Sequence, residues 1–370
     1  MTVEARAAVL NAPGEPVSVE AITVDPPEPD EVLVRVAASG VCHTDLHVQR
    51  SDGWGMRFPI LLGHEGAGTV EAVGADVTDV AVGDYVVLAW RAPCGRCAAC
   101  RRGDPRRCNR ALRAGPRMHR ASDAALLSPV LRTGTFTTHT VVHAAQAIVM
   151  PPEVGPEQAC LLACGVSTGV GAALYTTPVW PGATVAVIGC GGVGLSVIAG
   201  AKIAGAARII AVDVAPQKLE WAGHFGATDV VDASQSDAVH GVRDLTGGKG
   251  VNFAFEATGR PEPVEQAVAM LRHAGVATMV GVQGQGARAT LDLGDSRTGV
   301  FENKATLTVS HGGDTLPAND FPLMAQFYLD GRLDLDFMVT KVIGLDDIEA
   351  AFEDMRAGRV IRSVVRLPEA

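Results

Sequence analysis

Residues 184–213 read TVAVIGCGGVGLSVIAGAKIAGAARIIAVD. The Val-rich run Thr184–Ile188 predicts a buried strand. The turn Gly189-Cys-Gly191-Gly192-Val193-Gly194 follows it. Val193–Ala204 then predicts an amphipathic helix, and Ile209–Val212 a second strand. A G-x-G-x-x-G run is a weak signal alone, but a strand before it and a helix after it supply the context that gives it meaning. Gly189 allows the tight turn, Gly191 lets the backbone approach a pyrophosphate, and Gly194 permits close helix packing. The helix start adds free N–H groups and a positive dipole end. Asp213 closes the second strand, where a carboxylate hydrogen-bonds a ribose 2′-hydroxyl and repels a 2′-phosphate. Lys218 follows within reach of the same ribose. A purely structural glycine turn is the competing reading. Asp213 in register favours a dinucleotide, and NAD over NADP.

Outward from this stretch, strand and helix alternate. Ala215–Phe225 predicts a helix; Asp229–Val231, Phe253–Ala257, Ala277–Val282 and Ala305–Val309 predict strands. That order implies a parallel sheet with helices on both faces, a doubly wound Rossmann arrangement. Residues 1–150 differ. Short runs such as Glu31–Val36, Gly68–Val73 and Tyr85–Leu88 are broken at Pro26–Pro27, Gly74 and Gly83, which suggests a small antiparallel barrel or sandwich. The last stretch, of about 60 residues, mixes helix and strand and completes the first domain.

The chain has 370 residues and a formal charge of −10. The length suggests two or three domains, and the acidity argues against a general nucleic-acid binder. No apolar run reaches the ~18–20 residues of a membrane span. The start, MTVEARAAVL, lacks the features of a signal peptide, so the cytoplasm is expected. In that reducing compartment, clustered thiols favour metal over disulfides. Four of the eight cysteines crowd together as Cys94-x2-Cys97-x2-Cys100-x7-Cys108. Four thiolates can wrap one zinc ion and leave no open position, so this site is structural. Residues 91–120 thus form a metal-pinned lobe. Arginines surround it (Arg96, Arg101, Arg102, Arg106, Arg107, Arg110 and Arg113), but aromatic residues for base stacking are missing, and most of these arginines read as a solvated face.

Three further segments carry possible ligands: Gly40-Val-Cys42-His43-Thr44-Asp45-Leu-His47, Gly63-His64-Glu65-Gly66-Ala-Gly68 continuing to Gly74, and Cys160-Leu-Leu-Ala-Cys164-Gly165-Val-Ser-Thr168-Gly169. Spacing alone leaves open whether Cys42, His64 and Cys164 meet in space. A lone cysteine or histidine is more often a core residue than a ligand.

Over essentially its whole length the chain resembles the zinc-dependent medium-chain alcohol dehydrogenases. Gly63-His64-Glu65-x2-Gly68-x5-Gly74-x2-Val77 is similar to that family's zinc signature. The four-cysteine lobe and the GCGGVG turn occur in the family's order and spacing. AWRAPCGRCAACRRG (89–103), VAVIGCGGVG (185–194) and DDIEAAFEDMRAGRVIRSVV (346–365) resemble most closely the mycothiol-dependent formaldehyde dehydrogenases and other class III-like members. The resemblance implies a GroES-like, mostly β catalytic domain at 1–165 and 311–370, with a structural-zinc lobe at 91–120. A Rossmann NAD-binding domain at 166–310 is inserted into it. It implies two zinc ions per chain, the catalytic one held by Cys42, His64 and Cys164 with one position open; the same two-cysteine, one-histidine set is the general example of such a site in alcohol dehydrogenase. By the same resemblance Asp45 orients His64, and Glu65 lies beside the zinc. His43 and Arg362 contact the pyrophosphate, Thr168 the nicotinamide side, and the Val280 backbone the carboxamide. Trp54 and Trp90 line the substrate pocket, although ordinary core packing is their plainer reading. Cys160 and Cys190 have no implied role and read as packing. Arg110–Leu131 matches other members poorly and borders the expected pocket, which leaves the substrate open.

The expected chemistry is hydride transfer between a primary alcohol or aldehyde and NAD. Zinc lowers the pKa of the alcohol oxygen. Thr44 takes the proton and relays it through the nicotinamide ribose to His47, a residue type that changes charge near neutral pH. Alternatives are a formaldehyde dehydrogenase acting on an S-hydroxymethyl adduct of mycothiol or glutathione, a zinc-free reductase, and a non-enzymatic binding protein. The expected partners are a small-molecule substrate and further copies of the chain, as homodimer or homotetramer, with neither nucleic acid nor membrane.

Overall fold

Thr184–Ile188 lies at the centre of a six-stranded, all-parallel sheet. Across the sheet the strands run Asp229–Asp232, Arg208–Asp213, Thr184–Ile188, Val251–Glu256, Leu271–Met279 and Thr306–Val309. In chain order this is 3-2-1-4-5-6, the doubly wound order whose reversal point lies beside the first strand. Continuous apolar strands such as 184–188 are what burial on both faces demands. The computed structural model describes residues 2–294 and 298–368. It divides into two units, residues 165–315 around this sheet and residues 1–164 with 316–370.

The helix after the glycine turn, Gly192–Ile203, corrects one expectation. Residues 194–201 are all buried, so the helix is apolar all round rather than amphipathic. The sequence allows this through glycines. A Cβ at Gly169 would overlap the Val193 carbonyl, and one at Gly200 would press on Val170. The helix Gly165–Gly171 therefore packs backbone to backbone against it. The strand expected at Ala277–Val282 is Leu271–Met279 instead, with a register shift on its neighbour between Val251 and Phe253.

The other unit is built on two sheets. One orders Met118–Arg120, Ser18–Val24, Val3–Leu10, Ile60–Leu61 and Ser128–Pro129. The second orders Ala147–Val149, Tyr85–Leu88, Gly66–Val73, Glu31–Gly40, Arg362–Arg366 and Val339–Ile343, with His139–His143 also on Glu31–Gly40. Most pairings are antiparallel, as the sequence suggested. The exceptions are Ile60–Leu61 with Ser128–Pro129 and Val339–Ile343 with Arg362–Arg366. Glu31–Gly40 runs four residues past its expected end and delivers the chain directly to Val41 and Cys42. The poorly matching stretch 110–131 supplies both outer strands of the first sheet, Met118–Arg120 and Ser128–Pro129.

The lobe around Cys94–Cys108 has almost no apolar core. Its buried cluster is Cys97, Ala99 and Cys108, with Cys94 and Cys100 packed on it. Arg106 is an exception to the solvated face expected of most of the lobe's arginines. Its guanidinium spans both oxygens of the buried Asp320 at 2.6 and 3.2 Å, tying the lobe to the helix Pro317–Leu329. Arg91 likewise donates to the carbonyls of Arg106 and Cys108. Among the described residues, no single helix is long and apolar enough to cross a membrane.

Candidate metal centres and dinucleotide turn

Cys42 ends the run out of Glu31–Gly40 and caps the helix His43–Arg50. His64 and Glu65 sit between the strands Ile60–Leu61 and Gly66–Val73. Cys164 ends the short turn Cys160–Ala163. Three distant segments thus converge. The ligand atoms of Cys42, His64, Glu65 and Cys164 all lie within 4.8 Å of one another. The glycines of the His64 segment serve backbone approach. Gly63 has φ +86°, and a Cβ at Gly68 or Gly74 would overlap the carbonyl of Arg35 or Glu28.

Asp45, fully buried, organises this cluster from the first turn of its helix. Its Oδ1 accepts from the Gly63 N–H at 2.9 Å and lies 3.2 Å from His64 Nδ1. Its Oδ2 accepts from the Cys42 N–H at 3.3 Å. The His64 ring is thereby fixed with Nε2 buried and without any hydrogen-bond partner. A buried imidazole nitrogen left unpaired costs free energy. Beside two thiols, it has the donor chemistry that zinc fills. The electrostatics lean the same way. The thiol of Cys164 donates to Cys42 and holds the Cys42 pKa well below the usual range, despite burial. Burial works against charge on His64, but Asp45 and then Cys42 outweigh it and raise its pKa.

Glu65 is fully buried and ion-paired with Arg362. Burial pushes its carboxyl up to about 7, with Cys42 adding to the rise and Arg362 opposing it. Arg362, expected at the pyrophosphate, is 6% exposed and directs its guanidinium to Glu65 and the Val41 carbonyl. Gly40, which the sequence reading named only as the start of the Cys42 segment and gave no role, makes that pair possible: a Cβ there would overlap the Glu65 carboxylate. No motif marks it. Cys160 is buried, and its thiol donates to the Glu157 carbonyl at 3.3 Å, in keeping with a packing role. His43 and His47 are exposed on the helix His43–Arg50, with Thr44 half-buried between them. Trp54 is 44% exposed at φ 53°, its ring centroid 6.4 Å from that of His47. Trp90 is half-buried just past the strand Tyr85–Leu88.

The second cluster joins Cys94, Cys97, Cys100 and Cys108, with sulfur atoms again within 4.8 Å of one another. Cys97–Cys100, Cys108–Cys94 and Cys97–Cys108 sulfurs are 3.5, 3.6 and 3.9 Å apart. A tetrahedron with ~2.3 Å metal–sulfur bonds has edges of about 3.8 Å, so the sulfurs stand at the spacing zinc requires. Disulfide sulfurs would stand only ~2.05 Å apart, and all eight cysteines are free. The Cys94 and Cys97 N–H groups donate to Cys108 and Cys94 sulfurs at 3.3 Å.

In the other unit, Gly189 turns at φ +91°, and a Cβ at Gly194 would overlap the Gly189 carbonyl. A Cβ at Gly191 would meet nothing within 4 Å, leaving open space above the start of the helix, where Gly192 and Val193 form the first turn. That space fits a pyrophosphate. Asp213 does more than the sequence suggested. Its Oδ2 accepts from the Cys190 N–H at 2.7 Å and its Oδ1 from the Ala215 N–H at 3.0 Å, so it braces the turn as well as presenting a carboxylate. Cys190 is buried beneath it, again in keeping with packing. Lys218 is half-buried on the helix Pro216–Phe225, and Thr168 half-buried on Gly165–Gly171. Val280 follows the strand Leu271–Met279, its N–H donating to the Glu256 carbonyl at 2.8 Å.

Comparison with known proteins agrees with this arrangement. Residues 28–152 match the alcohol dehydrogenase GroES-like domain and residues 192–330 the zinc-binding dehydrogenase domain. The chain is 36% identical to an S-(hydroxymethyl)glutathione dehydrogenase of Escherichia coli, over 98% of this chain and 100% of that protein. Among solved structures, an alcohol dehydrogenase zinc-binding domain protein from Burkholderia ambifaria is 35% identical. It superposes with a TM-score of 0.93 over 100% of both chains. The benzyl alcohol dehydrogenase of Acinetobacter calcoaceticus is 32% identical with a TM-score of 0.90, over 99% of this chain and 100% of that one. The chain belongs to the zinc-dependent medium-chain alcohol dehydrogenase family.

Proposed function

We propose that this protein is a zinc-dependent dehydrogenase that moves a hydride between a primary alcohol, or its aldehyde, and NAD. The observation that carries the reading is the buried, unpaired Nε2 of His64 facing the thiols of Cys42 and Cys164. Zinc bound there supplies the Lewis acidity that lowers the pKa of an alcohol oxygen or polarises a carbonyl, and NAD accepts or gives the hydride.

The chain's own residues do the rest. Cys42, His64 and Cys164 hold the metal, and Asp45 locks the His64 ring by its other nitrogen. Glu65 stands beside them, ion-paired with Arg362, which opposes the effect of burial on its carboxyl. Thr44 would relay the hydroxyl proton at its Oγ, accepting it as it passes its own proton on, and His47, one turn along the same helix, would deliver the proton to solvent. Trp54 and Trp90 are assigned to the substrate. Cys94, Cys97, Cys100 and Cys108 hold a second, structural zinc. In the other unit, Gly189, Gly191, Gly192, Val193 and Gly194 receive the pyrophosphate, Asp213 and Lys218 the ribose, and Thr168 and the Val280 backbone the nicotinamide. His43 adds a further cofactor contact.

The experiment that tests the function measures NAD reduction with benzyl alcohol and other primary alcohols. The same assay is run with formaldehyde plus glutathione or mycothiol. Turnover of a bare primary alcohol is the expected result. A second reading, oxidation of an S-hydroxymethyl thiol adduct, draws on the 36% identity to S-(hydroxymethyl)glutathione dehydrogenase. Binding energy from the thiol moiety would then be used in the transition state. An adduct preferred by more than about 100-fold in kcat/KM would replace the first reading with the second. No NAD reduction with any of them would remove both.

NAD should be used at least about tenfold better than NADP, because Asp213 repels a 2′-phosphate. Asp213→Asn should narrow that ratio. Asp213→Gly should narrow it too, and should also lower the Tm, since two backbone N–H groups lose their acceptor at about 1–3 kcal/mol each. Steady-state kinetics with both cofactors decide this; equal wild-type efficiency would refute the assignment.

We also assign the protein to the cytoplasm, where its free thiols stay reduced, as a homodimer or homotetramer. The outer strand of the parallel sheet, Thr306–Val309, leaves Leu307 and Val309 exposed, and Phe301 before it is 80% exposed. An open, apolar strand edge is one that proteins cover. Light scattering at micromolar concentration should give at least twice the 38.4 kDa chain mass. A monomer mass there contradicts the assignment.

A further inference from the structure

We propose that the arginine-lined hollow on the four-cysteine lobe is a binding site for small polyphosphate anions. The hollow has a volume of about 580 Å³ and is lined by Arg96, Arg101, Arg102, Arg107, Asn109 and Arg110. That volume is in the range of small-molecule sites. Nothing in the dehydrogenase chemistry uses these residues.

Two other arginines of the lobe show what a structural role looks like here. Arg106 is spent on Asp320 and Arg91 on backbone carbonyls. The five arginines of the hollow are different. Arg107 pairs at 3.5 Å with Asp104, while Arg96, Arg101, Arg102 and Arg110 make no ion pair among the described residues. Five guanidinium groups around one hollow repel one another, and a chain whose formal charge is −10 has carboxylates to spare for them. Charge balance with the metal does not account for the cluster. A zinc tetrathiolate is formally dianionic and Asp104 adds one negative charge, which leaves a surplus of two positive charges. A ligand with two or more negative charges and contiguous oxygen acceptors answers that surplus, and guanidinium forks match phosphate bidentately.

An extended nucleic acid fits less well. The acidic chain repels a long polyanion outside the lobe, and no aromatic residue occurs between 91 and 117 to stack a base. A chain of two or three phosphates, free or on a nucleoside, is small enough to meet only the basic hollow.

The test uses the full-length, zinc-loaded protein saturated with NAD, so that the glycine turn is already filled. Inorganic tripolyphosphate is titrated in by calorimetry at about 50 mM salt and again at about 300 mM, because exposed charges are screened over about a Debye length. The expected result is one anion per chain, bound at least tenfold more weakly by Arg101→Ser/Arg102→Ser and more weakly at high salt. Arg110→Ser lies outside the Cys94–Cys108 loop, so it leaves the metal ligands and their spacing untouched, and should weaken binding about threefold. If the double variant loses zinc, Arg110→Ser alone decides. A nucleoside triphosphate that binds more tightly than tripolyphosphate identifies a nucleotide as the ligand, and equal affinity the phosphate chain alone; both support the site. Absence of binding, or unchanged affinity in the variants that retain zinc, overturns the proposal. So does tighter binding of a single-stranded DNA 20-mer or of a hexaglutamate peptide.

Discussion

Cys42→Ser should abolish most turnover while leaving the protein folded with one zinc ion instead of two. Cys42 is the N-cap of the helix His43–Arg50, in extended backbone, with its N–H held by Asp45. Serine is favoured at that position, so the helix start survives the change. What is lost is one of the three residues proposed to hold the catalytic zinc, a thiol beside the unpaired Nε2 of His64. Partners that merely orient a metal ligand typically cost about 10–100-fold when removed. Loss of a ligand itself should therefore cost more than ~100-fold in kcat/KM. Asp45→Asn supplies the graded comparison. It keeps the shape but weakens the hold on His64 Nδ1 and on the Gly63 and Cys42 N–H groups, so it should fall within the 10–100-fold range. Kinetics paired with metal analysis check both. A Cys42→Ser protein that keeps two zinc ions and near-wild-type turnover would end the assignment of this cluster as the catalytic centre. His64→Ala is a poorer choice, since it opens a cavity beside the buried Asp45 and removes one of its three partners, which confuses loss of activity with loss of fold.

Cys97→Ser should act in the opposite way, on folding before chemistry. The lobe buries little besides its own sulfurs and Ala99, so no apolar core replaces the metal when the tetrahedron is broken. Structural zinc in small modules contributes on the order of 10–16 kcal/mol at neutral pH, comparable with the roughly 5–15 kcal/mol by which whole domains are stable. A large share of that energy should disappear. The expected outcome is poor soluble yield. Any protein recovered should have a Tm at least ~10 °C lower and rapid proteolysis between residues 91 and 120. Arg106 and Asp320 still tether the lobe, so the remainder of the unit need not collapse with it. Thermal unfolding and limited proteolysis read this directly. Wild-type stability and protease resistance in Cys97→Ser would show that the four cysteines do not hold a structural ion.

The sequence alone determined whatever is local. The GCGGVG turn needs only the backbone of adjacent residues, so Gly189 at φ +91° and the crowding of Gly194 on Gly189 are legible in the order of glycines. The same holds for Cys94–Cys108, whose ligands close within one loop, and for the alternation of strand and helix that gave the parallel sheet. Resemblance to the family extended that reading to Cys42, His64 and Cys164. Tertiary structure decided what depends on residues far apart in the chain. It brought those three side chains within 4.8 Å of one another, buried Arg362 against Glu65, and made Gly40 indispensable to that pair. It paired Arg106 with Asp320, and it turned the poorly matching stretch 110–131 into two outer strands. Local pattern could not show these because an ion pair or a ligand set forms only where the fold removes water and brings separate strands together. The backbone register that does so is fixed by the packing of both sheets, not by any one segment.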